Sequence, residues 1–528
     1  MKHVHTISRI FLFALLALST RTHAQLDAAW IFRDARSMPI YEATTEPNKH
    51  IHTAIRPLSS TDSASSTSVR PSWRDRLFDT DALVIRDKSS VVRINPAINF
   101  GAGFDPLRED VCLQNTRGVH VDGRFGKKIY FYSAFFENQT RFYNYVRSFI
   151  GRNRVIPSEG LNRGFGAGYS DYYWAQGMIE FRPDDRSRLF LGHGRPFIGE
   201  GYRSMLLSDN AFNYFHFGGS AKIGPLEYLV FFPFLNDLNR DLEINGSFRK
   251  KYQAIHYLSY NITKRLNVGL FEAITYGDTS RAVQSQFEFN YLNPIIFYRP
   301  VEYAQGSERG NAIVGMQASF WFHKAAKIYG QLALDEFRIS EIRAGNGWWA
   351  NKWGIQLGLK GYDVIVPGLH YRIEYNEARP FMYSHKLVLL NYGHFNQSMA
   401  HPLGANFRET VAILQYDRNR WQMRLQMNYA VQGMDSAGLN FGSDIYESYD
   451  TRADEYGNYT GRGEVRRLLW MDASVSYEVN PAWNTVFKVG VIARKEEYDN
   501  PDLNANPDWN IIPYVALRHQ LFNQYLDF

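Results

Sequence analysis

The sequence of 528 residues contains a single cysteine, Cys112, and its charges nearly balance. One cysteine excludes an intramolecular disulfide. The 59 basic and 53 acidic side chains leave a net charge of +6, which falls to +3 without Lys2, Arg9 and Arg21 near the N-terminus. A charge this close to balance gives no electrostatic reason to expect a nucleic-acid ligand.

Long apolar runs are also missing beyond the first 24 residues. No later segment approaches the roughly 18 consecutive apolar residues that a membrane-spanning helix needs. Aromatic residues are abundant instead, with 34 Tyr and 37 Phe, although the mean hydropathy is only −0.37. Aromatic residues favour strands, and Tyr and Trp also favour the boundary between apolar and aqueous phases. The remaining way for this chain to cross a membrane is a closed β-barrel, because a barrel leaves no backbone group unpaired.

The first residues, MKHVHTISRIFLFALLALSTRTHAQ, predict a secretory signal peptide over residues 1–24. Lys2 and Arg9 form the positive flank, residues 10–18 form the apolar core, and a cleavage site precedes Gln25. Nine apolar residues are too few to cross about 30 Å of hydrocarbon, which argues against the alternative of an N-terminal membrane anchor.

The rest of the chain divides into two parts by composition. Residues 25–90 are expected to form a periplasmic N-terminal segment, which includes a flexible Ser/Thr-rich linker at 58–72. Residues 91–528 are expected to form an outer-membrane β-barrel, because alternating runs of about ten residues follow one another to the end.

The stretch WQMRLQMNYAVQ, residues 421–432, shows the repeated pattern most clearly. Its apolar residues alternate with Gln, Arg and Asn. Because successive side chains of a strand point to opposite faces, one face is apolar and the other is polar. A soluble sandwich would bury the apolar face, whereas a membrane barrel turns it outward to lipid and keeps water inside.

Runs of this kind group into hairpins with tight connections. The eight predicted pairs are 116–125 with 127–137, 171–182 with 188–193, 214–223 with 226–234, 252–262 with 266–276, 312–322 with 327–337, 353–362 with 368–377, 408–416 with 421–432, and 468–479 with 484–494. A first strand at 93–104 and a last at 510–521 bring the number to eighteen.

Long connections separate these pairs, so that short and long connections alternate strictly. Such alternation is typical of outer-membrane barrels. The predicted fold class is therefore all-β: a transmembrane antiparallel β-barrel of about 18 strands with short periplasmic turns and long external loops. Aromatic residues near the ends of the apolar faces fit interfacial girdles. The sequence also ends in Phe528 after a strand-like run, as outer-membrane barrels often do. The alternative is a tandem of soluble β domains.

In such a barrel the polar alternate positions face the lumen. A charge placed instead at an apolar position in mid-membrane would cost about 2–4 kcal/mol. The charged residues predicted to face the lumen are Lys360, Arg372, Glu374, Arg424, Asp472, Lys488 and Arg494.

Several stretches that join the strands resemble one known family. They include NTRGVHVDGRFGKKIYFYSAFFENQTRF, GHGRPFIGEGYRSMLLSDNAFNYFHF, YLNPIIFYRPVEYAQGSERGNAIVG and FNQSMAHPLGANFRE. Together, over residues 90–528, they are similar to the Wzi-like capsule-assembly outer-membrane family, and most to its Bacteroidetes branch, which includes gliding-motility proteins of the RemB type. The resemblance implies eighteen strands and a role at the cell surface, either in holding capsular polysaccharide or in gliding.

Candidate ligand-binding residues lie in the long loops, where binding sites concentrate. Guanidinium groups pair with carboxylates, and aromatic rings stack against sugars, so a loop rich in both favours an acidic polysaccharide. The alternative is a cationic loop that contacts lipopolysaccharide or water. The residues in loop 138–170 are Arg141, Arg147, Arg152, Arg154, Tyr143 and Tyr145.

Two further charged groups are candidate ligand contacts. Arg195 and Glu200 lie in GRPFIGEGYRS, and Arg299 and Glu302 lie in FYRPVEY. The glycine spacing of the first does not match a phosphate-binding loop. The structural alternative, a folded-in loop with an internal ion pair, is the favoured interpretation, because buried charges are usually paired.

Catalytic and metal chemistry are not indicated. His394 and His401, with Glu409 nearby, match no zinc-site spacing, and Ser398 lies near both histidines only in sequence. No G-x-S-x-G motif is present. We therefore expect no cofactor, no metal and no enzymatic activity.

The sequence thus favours a non-enzymatic barrel in the cell outer membrane that binds or organises surface polysaccharide or supports gliding motility. Loops 277–311 and 378–407 are expected to block its lumen. Expected partners are outer-membrane lipid and lipopolysaccharide, with either an acidic surface polysaccharide or gliding and secretion machinery. The alternative is a diffusion channel, because eighteen strands can enclose an aqueous pore.

Overall fold

The computed structural model describes residues 30–31, 52–59, 72–166, 168–239, 241, 243–278, 283–294, 310–363, 365–436, 438–503 and 508–528. The predicted signal peptide and most of the predicted linker lie outside these ranges.

Within the described residues, eighteen antiparallel strands of eight or more residues close into one barrel, which confirms the predicted fold class; the short strands Leu83–Arg86 and Arg163–Phe165 pair beside them. Closure is made by the last strand, which pairs with the first from Tyr514 opposite Gly103 to Arg518 opposite Asn99. The strands are β1 Val91–Asp105, β2 Asp110–Phe125, β3 Ile129–Thr140, β4 Tyr169–Phe181, β5 Ser187–Gly194, β6 Tyr214–Ile223, β7 Leu226–Asp237, β8 Arg249–Asn261, β9 Leu266–Tyr276, β10 Gly310–His323, β11 Ala326–Leu334, β12 Trp353–Tyr362, β13 Leu369–Ala378, β14 Phe407–Arg418, β15 Trp421–Met434, β16 Glu464–Asn480, β17 Thr485–Tyr498 and β18 Asn510–His519.

The helices are short and lie outside the wall strands. They are α1 Trp73–Phe78, α2 Asn144–Asn153 and α3 Ile339–Ala344. No helix in the described ranges has the length and apolar character needed to span a membrane.

The connections separate the barrel into a short-turn end and a long-loop end. The predicted alternation holds with one exception. The first connection at the long-loop end, residues 106–109, is a tight turn, because β2 begins at Asp110 and not near residue 116. The Asp105 carboxylate accepts a hydrogen bond from Leu107 N at 3.2 Å, which holds this turn closed.

The two faces of the wall differ as the alternation predicts. In β15, Met423, Leu425 and Met427 point outward and are each at least 38% exposed, whereas Gln426 and Asn428 point inward and are at most 4% exposed. The outer face is therefore apolar and the inner face is polar, which is the arrangement that suits a bilayer.

The barrel interior is filled by segments of the chain itself, which we call the inner segments: residues 52–57, 195–213, 381–406 and 520–528. Their side chains are largely buried and contact the inward-facing residues of the wall. Residues 52–57 thus lie inside the barrel. The prediction that loop 378–407 folds into the lumen agrees with the structure.

The last strand, predicted at 510–521, ends two residues earlier than expected. Strand β18 ends at His519, and residues 520–528 turn back into the barrel, where Leu521, Tyr525 and Phe528 are buried. Phe522 packs against Phe136 and Trp174 of the wall, and Phe528 packs against Phe149 of helix α2, so aromatic contacts hold this segment inside the barrel.

The other loop expected in the lumen lies elsewhere. Residues 283–294, which we call the outer strap, pack on the outward face of β7, β8 and β9. Phe287 stacks on Phe234 with ring centroids 5.5 Å apart, and Tyr291 stacks on Tyr276 at 4.2 Å. The predicted lumen plug is therefore wrong for the described part of loop 277–311, because its aromatic rings pair with aromatic residues on the outside of the wall.

The outer strap covers polar groups that face outward. His256 lies opposite Glu272 in the pairing of β8 with β9, and both side chains are buried. His256 points outward because Lys251, an odd number of positions away on the same strand, points inward. Lys251 Nζ donates to Asn391 O at 2.9 Å inside the barrel. The strap carbonyl of Pro294 accepts a hydrogen bond from the Tyr228 hydroxyl at 2.6 Å, beside His256.

Candidate functional site: a braced interior and an aromatic outer end

Glu200 is the centre of one buried charge group. Its carboxylate accepts hydrogen bonds from Lys327 Nζ at 3.0 Å, from Lys360 Nζ at 2.8 Å and from the Thr53 hydroxyl. Burial alone would raise the pKa of Glu200, but the two ammonium groups more than offset it and hold the pKa below its usual range. The carboxylate is buried and fully engaged within the protein, and a ligand contact at Glu200 stays a prediction. The folded-in interpretation of this loop holds, with wall lysines as the partners.

Arg203 is the centre of a second buried group. Its guanidinium binds both oxygens of Glu409, at 2.8 and 3.1 Å, and one oxygen of Asp527 at 3.1 Å. His401 Nε2 lies 2.6 Å from the same Glu409 carboxylate. This group joins three parts of the chain that are distant in sequence: an inner loop, strand β14 and the final segment.

The inner segment 195–213 also binds Glu374, which lies beside the Arg203 group. It accepts hydrogen bonds from Tyr202 N at 2.8 Å, from Arg203 N at 3.0 Å and from the Tyr329 hydroxyl at 2.8 Å. The loop approaches so closely that a Cβ at Gly201 would lie 2.5 Å from Glu374 Oε2. Only glycine fits at this point.

Two of the remaining charged residues predicted to face the lumen, Asp472 and Lys488, form an ion pair on the wall. Asp472 accepts hydrogen bonds from Lys488 Nζ at 3.0 Å and from the Tyr514 hydroxyl at 2.6 Å. Arg494 donates to Phe528 O at 3.4 Å, so its side chain touches the final inner segment.

Two further arginines of this set also follow the alternation. Arg424 donates to Gln426 Oε1 at 2.8 Å on the inward face of β15. Arg372 is half-buried and shares the face of Glu374 on β13. The inward charges are thus used largely to bind the chain to itself.

Helix α2 follows β3 at the long-loop end and carries several predicted ligand residues. Asp105 Oδ2 accepts from Asn144 N at 2.7 Å and so satisfies a free N–H group at the helix start. Tyr145 is buried in the core, and Tyr143 stacks against it with centroids 6.2 Å apart. Arg147 is half-buried. The ring of Tyr145 thus faces the protein interior, and a ligand contact there stays a prediction.

The arginines beside this helix divide into engaged and exposed residues. Arg141 forms an ion pair with Asp110 at 2.6 Å, and Arg154 donates to Leu238 O at 3.3 Å. Arg152 is exposed. Of this predicted cationic set, Arg152 is thus the residue most open to a ligand.

Arg195 is half-buried and braces the interior. Its guanidinium donates to Ser158 O at 2.5 Å and to Asn523 O at 3.1 Å, so it joins loop 141–168 to the final segment. Arg299 and Glu302 lie outside the described residues.

Glu159 is a buried carboxyl group in the same region. Burial raises its pKa to about 8, although the Arg195 guanidinium lowers it in part. Glu159 therefore keeps its proton to a higher pH than an exposed glutamate does.

The histidines and serine considered for chemistry are used in packing. His394 Nδ1 accepts from Asn236 N at 3.0 Å, and burial lowers its pKa to about 3. Ser398 Oγ accepts a backbone N–H two residues further on. Across the described ranges, no three His, Cys, Asp or Glu side chains converge as metal ligands.

The long-loop end carries a feature that the sequence reasoning missed. Loops 335–352 and 435–463 are joined by backbone hydrogen bonds, as if they were short strands. These bonds run from Trp349 N to Glu455 O at 3.0 Å, from Gly457 N to Asn346 O at 2.9 Å, and from Asn458 N to Gly347 O at 2.8 Å. The two loops therefore lie side by side and form one unit.

Five aromatic rings lie on this unit, and we call them the aromatic platform: Trp348, Trp349, Tyr449, Tyr456 and Tyr459. The ring centroids of Trp349 and Tyr449 are 4.6 Å apart, and the Arg452 guanidinium lies 4.5 Å from the centroid of Trp349. Tyr456 and Tyr459 are 51% and 53% exposed. The sequence signal was the density of aromatic residues in NGWW and YDTRADEYGNY.

Comparisons with known proteins match this fold. No protein-family model matches the sequence. No curated protein matches it either. Among solved structures, the chain is similar to Wzi of Escherichia coli, described as an outer-membrane protein involved in group 1 capsule assembly and a carbohydrate-binding β-barrel. The identity is 11%, the match covers 94% of this chain and 100% of Wzi, and the TM-score is 0.55.

Two further structures match less well. OprD of Pseudomonas aeruginosa gives 11% identity, covers 85% of this chain and 100% of its own, and has a TM-score of 0.43. OccAB2 of Acinetobacter baumannii gives 9% identity, 81% and 97% coverage, and a TM-score of 0.42. The likeness to Wzi is one of fold: both chains form a closed β-barrel.

Proposed function

We propose that this chain is a non-enzymatic barrel of the cell outer membrane that binds or organises surface polysaccharide at its long-loop end. Its function would lie in capsule or exopolysaccharide assembly, or in support of gliding motility as in the RemB-type branch of the Wzi-like family. Lipid and lipopolysaccharide would surround the wall, and gliding or secretion machinery is a further candidate partner.

The packed interior carries this proposal. The Glu200 and Arg203 groups fasten the inner segments to the wall through fully buried ion pairs. Breaking such a pair by removing one partner costs about 3–5 kcal/mol, so the segments are expected to stay in place. This supports a role for the outer loops in binding over the alternative of a diffusion channel. The overall likeness to Wzi, whose description names carbohydrate binding, supports the ligand class.

The proposal is tested with the full chain and with cells. In planar lipid bilayers we expect no steady current from the purified protein, and a large steady conductance would favour the diffusion channel. A deletion strain should lose surface polysaccharide or gliding, and complementation should restore it. If deletion leaves both surface polymer and movement unchanged, the proposed role is wrong.

A further inference from the structure

The aromatic platform has the components of a sugar-binding surface. Tyr456 and Tyr459 expose about half of their area and are separated by only two residues. Exposed aromatic rings offer flat apolar faces against which the C–H faces of a sugar can stack. The Tyr459 hydroxyl donates to Gly345 O at 2.9 Å, which fixes that ring between the two loops.

Hydrogen bonds within the protein hold the platform in place. The backbone bonds between loops 335–352 and 435–463 hold its two halves in register. The Asn406 side chain, on an inner segment, accepts from Gly461 N at 2.8 Å and so anchors the second loop to the barrel. A site of this kind loses little conformational entropy on binding.

The charges around the rings select the ligand class. Three arginines beside the rings are paired with carboxylates: Arg452 with Glu455, Arg462 with Asp454, and Arg338 with Glu341. Asp454 and Glu455 nevertheless keep about half of their side-chain surface exposed, at 55% and 50%. Their oxygens can accept hydrogen bonds from sugar hydroxyls, whereas a polyanion would meet these carboxylates and find the guanidinium groups already paired.

We propose that the aromatic platform binds uncharged hexose units of a surface polysaccharide, with Tyr456 and Tyr459 as stacking faces and Asp454 and Glu455 as hydroxyl acceptors. This inference rests on the proposed polysaccharide-binding function and deepens it. It replaces the acidic polymer that the arginines of loop 138–170 suggested, because Arg141 and Arg154 of that set are engaged within the protein.

The test uses the full chain in lipid nanodiscs. The probe is polysaccharide released from the cells that carry the protein, separated by anion exchange into a neutral and an acidic fraction. We expect the neutral fraction to bind. Its affinity should change little between about 50 and 500 mM salt, because few ion pairs would form and salt screens only interactions between charges. The double variant Tyr456→Ala/Tyr459→Ala should lose about tenfold or more in affinity, as expected for the loss of two stacking contacts.

Two controls separate stacking from folding. Tyr456→Phe keeps the ring and should bind like the unaltered protein. Tyr429→Ala removes an exposed tyrosine from the wall, 44% exposed, and should also leave binding unchanged.

The outcomes distinguish this inference from the function on which it rests. If the unaltered protein binds polysaccharide but the double variant binds equally well, the platform is the wrong site and the proposed function stands. Binding of the acidic fraction alone, with a steep loss at high salt, would overturn the neutral-sugar assignment. If neither fraction binds, the proposed function fails and the platform assignment fails with it.

Discussion

Asp527 joins the final inner segment to the rest of the barrel, and its replacement by alanine should release that segment. The carboxylate accepts hydrogen bonds from Arg203 Nη1 at 3.1 Å, Gln426 Nε2 at 2.7 Å and Asn428 Nδ2 at 3.0 Å. It also accepts from the Tyr202 hydroxyl at 2.8 Å. All of these donors would lose their shared acceptor in Asp527→Ala.

The magnitude follows from the burial of the pair. Removing one partner of a buried ion pair costs about 3–5 kcal/mol, and we expect the lower end because Glu409 continues to pair with Arg203. A cost of about 3 kcal/mol corresponds to roughly a hundredfold rise in the population with the segment undocked.

Two measurements check this expectation. Urea-induced unfolding from phospholipid vesicles should show a lower free energy of unfolding for Asp527→Ala, and planar bilayers should show brief current openings that the unaltered protein lacks. Asp502→Ala, which removes an exposed carboxylate from loop 499–509, is the matched control and should change neither. If Asp527→Ala unfolds and conducts like the unaltered protein, the buried pair does not hold the interior closed and the reasoning is refuted.

Three further predictions concern single positions. The raised pKa of Glu159, about 8, means that its stabilising protonated form is fully present below the ordinary carboxyl pKa and is lost as pH rises through 8. The Glu159→Gln variant should therefore have the same free energy of unfolding in urea as the unaltered protein at pH 4 and a higher one at pH 9. If the free energy of unfolding falls equally with pH in both proteins, this prediction is wrong. Leu425→Lys should lower the free energy of unfolding in vesicles by about 2–4 kcal/mol, because Leu425 faces outward in mid-wall. Leu439→Lys, in an exposed loop, should leave the free energy of unfolding almost unchanged. If both substitutions lower it equally, the wall does not face lipid. Gly201→Ala should destabilise by about 1–3 kcal/mol in the same assay, because the new methyl group would meet Glu374, and a neutral effect would show that the inner loop can move aside.

The wall of the barrel was predictable because its signal is local. Alternation of apolar and polar residues, as in residues 421–432, sets the two faces of each strand without reference to the rest of the chain. The lengths of the connections then set which strand ends lie together. All eighteen predicted strands occur, with ends shifted by a few residues.

The interior and the outer surfaces were less predictable because they depend on contacts between distant residues. Arg203 and Asp527 are separated by 324 positions, and nothing near either residue names the other. The ion pairs of Glu200 were expected, but Lys327 and Lys360 could not be chosen from among the other cations. The aromatic platform depends on a contact between two loops that are distant in sequence. The composition shows that each loop is rich in aromatic residues, but it does not predict that the loops lie side by side.

The outer strap gives the barrel a distinguishable side. Where residues 283–294 cover β7 to β9, acyl chains would meet an irregular peptide surface in place of a smooth wall, with Phe289 projecting from it. Neighbouring molecules in a crowded bilayer would therefore meet two different surfaces, depending on the side from which they approach. A lateral contact between molecules would favour one of these sides. The strap also constrains biogenesis, because a segment that lies over three strands can settle only after those strands have paired.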